Sequence, residues 1–259
     1  MTELTTDLAR PRGRYGVDGD YGLIPAPVLF AGYLLLCLAA TLLAVIWLAA
    51  GRTLSGLGAA VVAVGLIASG VSVRRFSRRG KFEVWARLLT GLNLHGDERV
   101  LDLGCGRGAV LLAAAKLLPR GRAVGVDIWR ADQTGNSPEA TLANADIEGV
   151  ADRVELHTRD MTDLQFPADS VDVVVSNLAI HNLPGNDERR AAIVEAVRVL
   201  RPGGRVVIAD LGFTRRYAEW LRQCGMAAVQ RRSLGWRAWW GVPFIRTHAV
   251  TATKPMPLP

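Results

Sequence analysis

From Val28 to Ala50 the chain reads VLFAGYLLLCLAATLLAVIWLAA, without one charged side chain. As a helix at about 1.5 Å per residue this stretch reaches roughly 35 Å, enough to cross a hydrocarbon core of about 30 Å. Only Gly51-Arg52-Thr53 separates it from a second apolar run, Leu54 to Val73, LSGLGAAVVAVGLIASGVSV. Residues 28–73 therefore predict a two-helix transmembrane hairpin. The second run is rich in Gly, Ala and Ser, which let helix backbones approach closely in lipid. Gly58, Gly65 and Ser69 recur at helical spacing as a candidate packing seam. A signal peptide is disfavoured, because the first run is long, starts well inside the chain and is followed by a second span. A buried hairpin of a soluble protein is the competing account, and the lack of charge on either face argues against it.

The flanks give an orientation. Arg10, Arg12 and Arg14 precede the first span, and Arg74, Arg75, Arg78, Arg79 and Lys81 follow the second, whereas the connector carries only Arg52. By the positive-inside rule both termini and the following domain are cytoplasmic, in a two-span protein of the cell membrane. The basic cluster suits anionic headgroups, at about 1 kcal/mol per basic residue. That accounts for much of the formal charge of +7 without nucleic acid, which is not expected as a partner. The polar, Gly- and Arg-containing start reads as a flexible tail over 1–27. Residues 74–98 read as a basic juxtamembrane linker and a lead-in helix near Phe82 to Leu92. The three cysteines, Cys37, Cys105 and Cys224, show neither metal-ligand spacing nor a disulfide framework, and no metal is expected.

Residues 99–259 alternate strand and helix patterns. Short apolar strands are expected at Arg99–Leu103, Ala123–Ile128, Arg153–Thr158, Val171–Ser176 and Arg205–Leu211, with helices between them at Ala109–Leu118, Pro138–Glu148 and Asp187–Leu200. Continuous apolar strands separated by helices predict an α/β fold with a mostly parallel sheet covered on both faces. A short helix near Tyr217 to Cys224 then leads to strands near Ala227–Arg232 and Thr247–Thr253. Without a long helix between them, this pair suits an antiparallel edge.

The chemistry concentrates where strands end. Val100-Leu101-Asp102-Leu103-Gly104-Cys105-Gly106-Arg107-Gly108 is a strand running into glycines and then a helix. Glycines there let backbone turn sharply and approach a ligand, and the helix start offers N–H groups to an anion. Asp127 follows about 20 residues later, the spacing at which an acid reaches ribose hydroxyls; a solvated acid or helix cap after the strand is the alternative. Asp160 and Met161 leave strand three, where an acid can accept from an adenine amino group and a thioether can pack on the ring; taken singly, Asp160 equally suits an exposed loop acid. Asn177 and His181 leave strand four, where a substrate would meet a cofactor. His181 is a candidate general base or a satisfied structural histidine. The polar loop Asp132–Ser137 is either a cover for the site or a solvated turn.

Taken together, VLDLGCGRG, VGVDI, RDMTDLQFPADSVDVVVSNLAIHNL and VLRPGGRVVIAD resemble the class I S-adenosylmethionine-dependent methyltransferases, in order and spacing. The resemblance implies a Rossmann-like seven-stranded sheet, with S-adenosylmethionine as cofactor and S-adenosylhomocysteine as product. It implies that Gly104, Cys105 and Gly106 wrap the methionine part and that Asp102 faces its amino group. Asp127 would hold the ribose, with Ile128 against the adenine and Asp160 and Met161 flanking it. Asn177 would line the methyl-transfer site. Members that methylate nucleic-acid bases often carry Asn/Asp-Pro-Pro-aromatic after strand four. Asn177-Leu178-Ala179-Ile180 departs from that, and the span from Phe166 through Pro202-Gly203-Gly204 is more similar to small-molecule members.

A sulfonium methyl is already activated, so such a domain mainly aligns the partners and excludes water. The anchor raises the effective concentration of a hydrophobic or lipid-like acceptor. The stretch Gly235 to Phe244, with Trp236, Trp239 and Trp240, suits either the headgroup layer or a cap on the sheet edge. Two rivals remain. A nicotinamide-dependent oxidoreductase would usually space its third glycine later than Gly108. A non-catalytic membrane scaffold or sensor would bind the same cofactor.

Overall fold

The computed structural model describes residues 3–16, 26–130, 135–238 and 246–257. Helices α1 (Glu3–Leu8), α2 (Ala26–Ala49) and α3 (Thr53–Arg75) come first. α2 and α3 form an antiparallel pair, with most of their large side chains facing outward. Leu54 is 88% exposed and Val61 72%. By length and apolarity both are capable of crossing a membrane. Their contact face differs from the expected seam. The buried small residues of α3 are Gly56, Ala59 and Ala63, and Tyr33 of α2 packs against Gly70 and donates its hydroxyl to the Leu66 carbonyl. Gly58 and Gly65 face open space. Small residues lie on both faces of α3, so spacing alone does not choose between them.

The stretch after Val73 is not a linker. α3 passes through a π-helical turn, Phe76–Gly80, directly into α4 (Lys81–Thr90), and the helix is continuous from Thr53 to Thr90. Such a turn inserts one residue into the ladder without breaking it. Gly80 is required there, because a β-carbon would collide with the Arg237 carbonyl oxygen. The segment Trp236–Ala238 clasps this helix: Arg75 lies 4.8 Å over the Trp236 ring, and Arg237 Nε reaches Glu83 Oε2 at 3.1 Å. Of the basic cluster, Arg74, Arg78 and Arg79 are exposed, but Lys81 is buried and not available to headgroups. Residues 239–245, with Trp239 and Trp240, lie outside the described residues.

The expected loose tail is also corrected over residues 3–16. α1 packs on α4, and Glu148 gathers the segment behind it. Its Oε1 accepts from the backbone N–H groups of Arg12 (2.7 Å) and Gly13 (2.8 Å) and from the Tyr15 hydroxyl (2.9 Å), while Oε2 meets Lys116 Nζ at 2.9 Å. Arg12, Gly13 and Tyr15 lie more than 130 residues away in sequence, beyond what a local polar pattern reveals.

The sheet holds β1 (Arg99–Leu103), β2 (Arg122–Asp127), β3 (Val154–Thr158), β4 (Val171–Asn177), β5 (Leu200–Asp210), β6 (Ala227–Ser233) and β7 (His248–Thr253), ordered β3-β2-β1-β4-β5-β7-β6. The first five strands are parallel and β7 runs antiparallel between β5 and β6. The main helices are α5 (Leu111–Ala115), α6 (Pro138–Glu148), α7 (Asn186–Val199) and α8 (Thr214–Gln223). Apolar clusters fill both faces of the sheet. Val100, Leu101 and Leu103 are fully buried, as a central strand covered on two sides requires. Strand order reverses between β1 and β4, and the carboxyl ends there open a crevice.

Candidate active site

The crevice is a cavity of about 380 Å³. The structure brings all the sequence-singled residues to it: Asp102, Gly104, Cys105, Gly106 and Asp127 on one side, Ile128, Asp160 and Met161 beyond, and Asn177 and His181 across the opening. Each arrives by the same logic, at or within a few residues of the carboxyl end of a parallel strand.

Gly104 has φ +71°, and a β-carbon on it would run into Ala179 of the loop after β4. Its N–H and that of Cys105 both donate to the Val126 carbonyl, at 2.8 and 3.1 Å, turning the chain back over β2. Asp127 fastens this turn: Oδ2 accepts from Gly106 N–H at 2.8 Å and Oδ1 from Trp129 N–H at 2.7 Å. α6 braces it from outside, with Thr141 Oγ1 donating to the Gly106 carbonyl and Asn144 Nδ2 to that of Arg107. Ser137 Oγ caps α6 by accepting from Ala140 N–H at 3.1 Å. Of the polar loop before it, residues 132–134 lie outside the described residues, and Asn136 lines the cavity. Cys105 turns its thiol inward, against a face of β2 that only Gly125 leaves open, so its backbone borders the crevice.

Asp102 is 1% exposed, and its Oδ1 has no hydrogen-bond partner. Burial pushes its pKa up to about 8; the Leu111 N–H opposes this and the neighbouring Asp127 charge adds to it. A buried carboxyl oxygen without a donor, beside a glycine turn that a β-carbon would fill, is a receptor for a cationic or hydrogen-bonding group. Asp160 folds its Oδ1 onto Thr162, accepting from N–H and hydroxyl at 2.8 Å each.

Three relationships escaped the sequence reading. Asn177 Oδ1 accepts from the Trp85 indole N–H at 2.8 Å, which leaves its NH₂ end for the cavity. His181 Nδ1 lies 2.5 Å from Asp210 Oδ1, and His181 N–H donates to Asp210 Oδ2 at 3.0 Å. Asp210 is wholly buried at the end of β5 and also accepts from Leu211 N–H (2.7 Å) and the Tyr217 hydroxyl (3.3 Å). A carboxylate on Nδ1 holds the proton there and leaves Nε2 as the basic nitrogen. Arg130 and Leu211 also line the cavity. The one available signal for Asp210 was its position, since β1, β2 and β5 all carry an acid at or next to their carboxyl ends.

Residues 101–208 match the model of the methyltransferase domain family. The chain is 34% identical over 126 residues to 27-O-demethylrifamycin SV methyltransferase of Amycolatopsis mediterranei, covering 48% of this chain and 42% of that protein. It is 32% identical over 134 residues to arsenite methyltransferase of Aquipseudomonas alcaligenes, covering 48% and 36%. The chain thus spans less than half the length of these curated relatives. Among solved structures, that of a geranyl diphosphate methyltransferase in complex with S-adenosylmethionine superimposes with a TM-score of 0.55 at 19% identity, over 71% of this chain and 90% of that one. That likeness shows the fold.

Proposed function

We propose that this chain, which carries an S-adenosylmethionine-dependent methyltransferase domain, moves a methyl group to a small hydrophobic acceptor at the cytoplasmic face of a membrane. One observation carries the catalytic half: the unpartnered Oδ1 of Asp102, the Asp127-fastened glycine turn, Asn177 and the His181–Asp210 pair all meet in one cavity. When bound, S-adenosylmethionine supplies an activated methyl group. The chain's residues do the rest. Asp102 receives the cofactor's ammonium group, and the turn at Gly104 to Gly106 lets backbone lie against its amino-acid tail. Asp127, besides holding the turn, has lone pairs left for two ribose hydroxyls. Ile128 and Met161 would pack against the adenine, and Asp160 would accept from its amino group. Asn177 presents its NH₂ beside the transfer path. His181 Nε2 takes the acceptor's proton where the nucleophile carries one, and buried Asp210 stabilises the charge that forms.

The membrane half rests on α2 and α3, whose outward faces are apolar and exposed along both helices. Residues 28–73 would be the anchor, with 1–27 and 74–259 on one side. The docking of residues 3–16 on α4 and α6 supports the same-side placement, as does the excess of arginine there. The anchor favours an acceptor that lives in or on the bilayer, of isoprenoid, quinone or lipid character.

The test is label transfer. Full-length protein in membranes is supplied with methyl-labelled S-adenosylmethionine and total lipid or aqueous extracts, and products are read by mass spectrometry. Label in a lipid-phase product is expected. Label confined to water-soluble products would overturn the membrane-acceptor reading. No label anywhere, with cofactor binding intact by calorimetry, would favour a scaffold, and binding of a nicotinamide cofactor instead would overturn both halves.

A further inference from the structure

The membrane reading makes a second crevice informative. It lies where the anchor helix meets the docked N-terminal segment, away from the methyl-transfer cavity, and has a volume of about 290 Å³. Ser77, Arg78 and Arg79 of the π-helical turn form one wall, and Arg10, Gly13 and Tyr15 form the other. All three arginines are exposed. No carboxylate lines the crevice among the described residues. The neighbouring acids are committed elsewhere: Asp7 and Glu148 to Lys116, and Glu83 to Arg237. The Ser77 hydroxyl is buried, with Ser77 1% exposed, and it has no hydrogen-bond partner.

Three arginines on the walls of one crevice, with no carboxylate in its lining among the described residues, make a cationic surface that an anion would neutralise. Guanidinium forks and a hydroxyl are the donors a phosphate group takes. The height of the crevice narrows the source. With the apolar run ending at Val73, the Ser77–Arg79 turn lies roughly 6–9 Å further along the helix at about 1.5 Å per residue. That is the depth of the headgroup layer. We propose that this crevice is a binding site for the phosphate of an anionic phospholipid headgroup, and that the bound lipid staples residues 3–16 to the anchor helix. The proposal rests on the membrane reading for its choice of lipid over free phosphate.

The full chain in neutral phosphatidylcholine nanodiscs would be titrated with phosphatidylglycerol. Lipid retention is read by native mass spectrometry, and protection of residues 3–16 by hydrogen exchange. A parallel series adds inorganic phosphate, and another adds soluble short-chain phosphatidylglycerol to detergent-held protein. Saturable retention of phosphatidylglycerol over phosphatidylcholine is expected, with rising protection of residues 3–16. The variant R10Q/R78Q/R79Q should weaken retention at least tenfold. R190Q/R215Q/R216Q, an equal loss of charge on the catalytic domain, should leave it unchanged. Undiminished cofactor binding by the first variant shows that it is folded. Retention that survives R10Q/R78Q/R79Q, falls equally in both variants or shows no preference for phosphatidylglycerol overturns the site. Saturation by inorganic phosphate at matched concentration overturns the lipid assignment. Failure of the wild-type chain to enter nanodiscs at all sinks the membrane reading, and the detergent series still reports on the crevice by itself.

Discussion

Trp85, on the helix that continues from α3, donates its indole N–H to the side-chain oxygen of Asn177, 92 residues away at the end of β4. Trp85 is 2% exposed and belongs to the core, so this is a fixed tether. It orients an amide at the rim of the cavity from the side opposite the sheet. Trp85→Phe keeps most of the ring volume and removes the donor. A neutral hydrogen bond contributes about 1 kcal/mol, so the methyl-transfer rate should fall about fivefold while cofactor affinity stays within about twofold. Parallel binding and rate measurements check this, and an equal loss in both would mean that Trp85 acts only through the fold.

The His181–Asp210 pair predicts coupled losses. Asp210→Asn no longer fixes the Nδ1 proton, and His181→Ala removes the proposed base. Each should lower the rate on the order of 10²-fold for an acceptor that must lose a proton. The double variant should be little worse than either single, because both act on one step. Rates unchanged in both singles would make the pair a structural brace.

Asp102 predicts an inverted pH dependence. Its folded-state pKa is near 8, above the ordinary 3.8. Between those values the folded chain keeps a proton that the unfolded chain releases, so stability falls as pH rises, and the loss is complete above about 8. Asp102→Asn should therefore melt higher than the parent at pH 8 without cofactor, with the gap closing towards pH 4. The same variant should bind S-adenosylmethionine more weakly. Wild-type affinity should climb as pH rises towards 8, because the ammonium group selects the carboxylate. Calorimetry in buffers of different ionisation enthalpy should detect a released proton.

Glu148 carries the opposite sign. Burial acts to raise its pKa, but Lys116, the Gly13 N–H and the Tyr15 hydroxyl together hold it below the ordinary 4.5. Its contribution is present above that value and is lost as pH falls through the lowered one. Glu148→Gln should cost about 2 kcal/mol, in the range for hydrogen bonds to a charged group. It should also expose residues 3–16 to protease, which limited digestion would show.

The central strands β1, β2, β4 and the end of β5 were legible because each is a short, mostly apolar run stopped by glycine, asparagine or an acid, and a central parallel strand tolerates little else. Asp102, Asp127, Asn177 and His181 were legible for a related reason: strand ends in such a sheet converge on one rim. What escaped depends on distant partners. Arg12 and Gly13 look like tail residues until Glu148 is set beside them. The Ser77-Arg78-Arg79-Gly80 stretch reads as a linker, because its glycine answers to the Arg237 carbonyl and not to its own neighbours. The face of α3 that meets α2 was undecidable from spacing, since Gly56 and Gly58 are equally small. Asp210 was visible as an acid at a strand end, but its pairing with His181 needs the turn after β4 to fold back over β5.

In the proposed membrane placement, the unbroken helix from Thr53 to Thr90 would make the anchor a mast, not a leash. A leashed enzyme would tumble and sample acceptors from every direction. One carried on a rigid spar keeps its opening at a set height and angle above the lipid. Its choice of acceptor would then depend on how far a molecule can rise out of the bilayer, as well as on the shape of the cavity it enters.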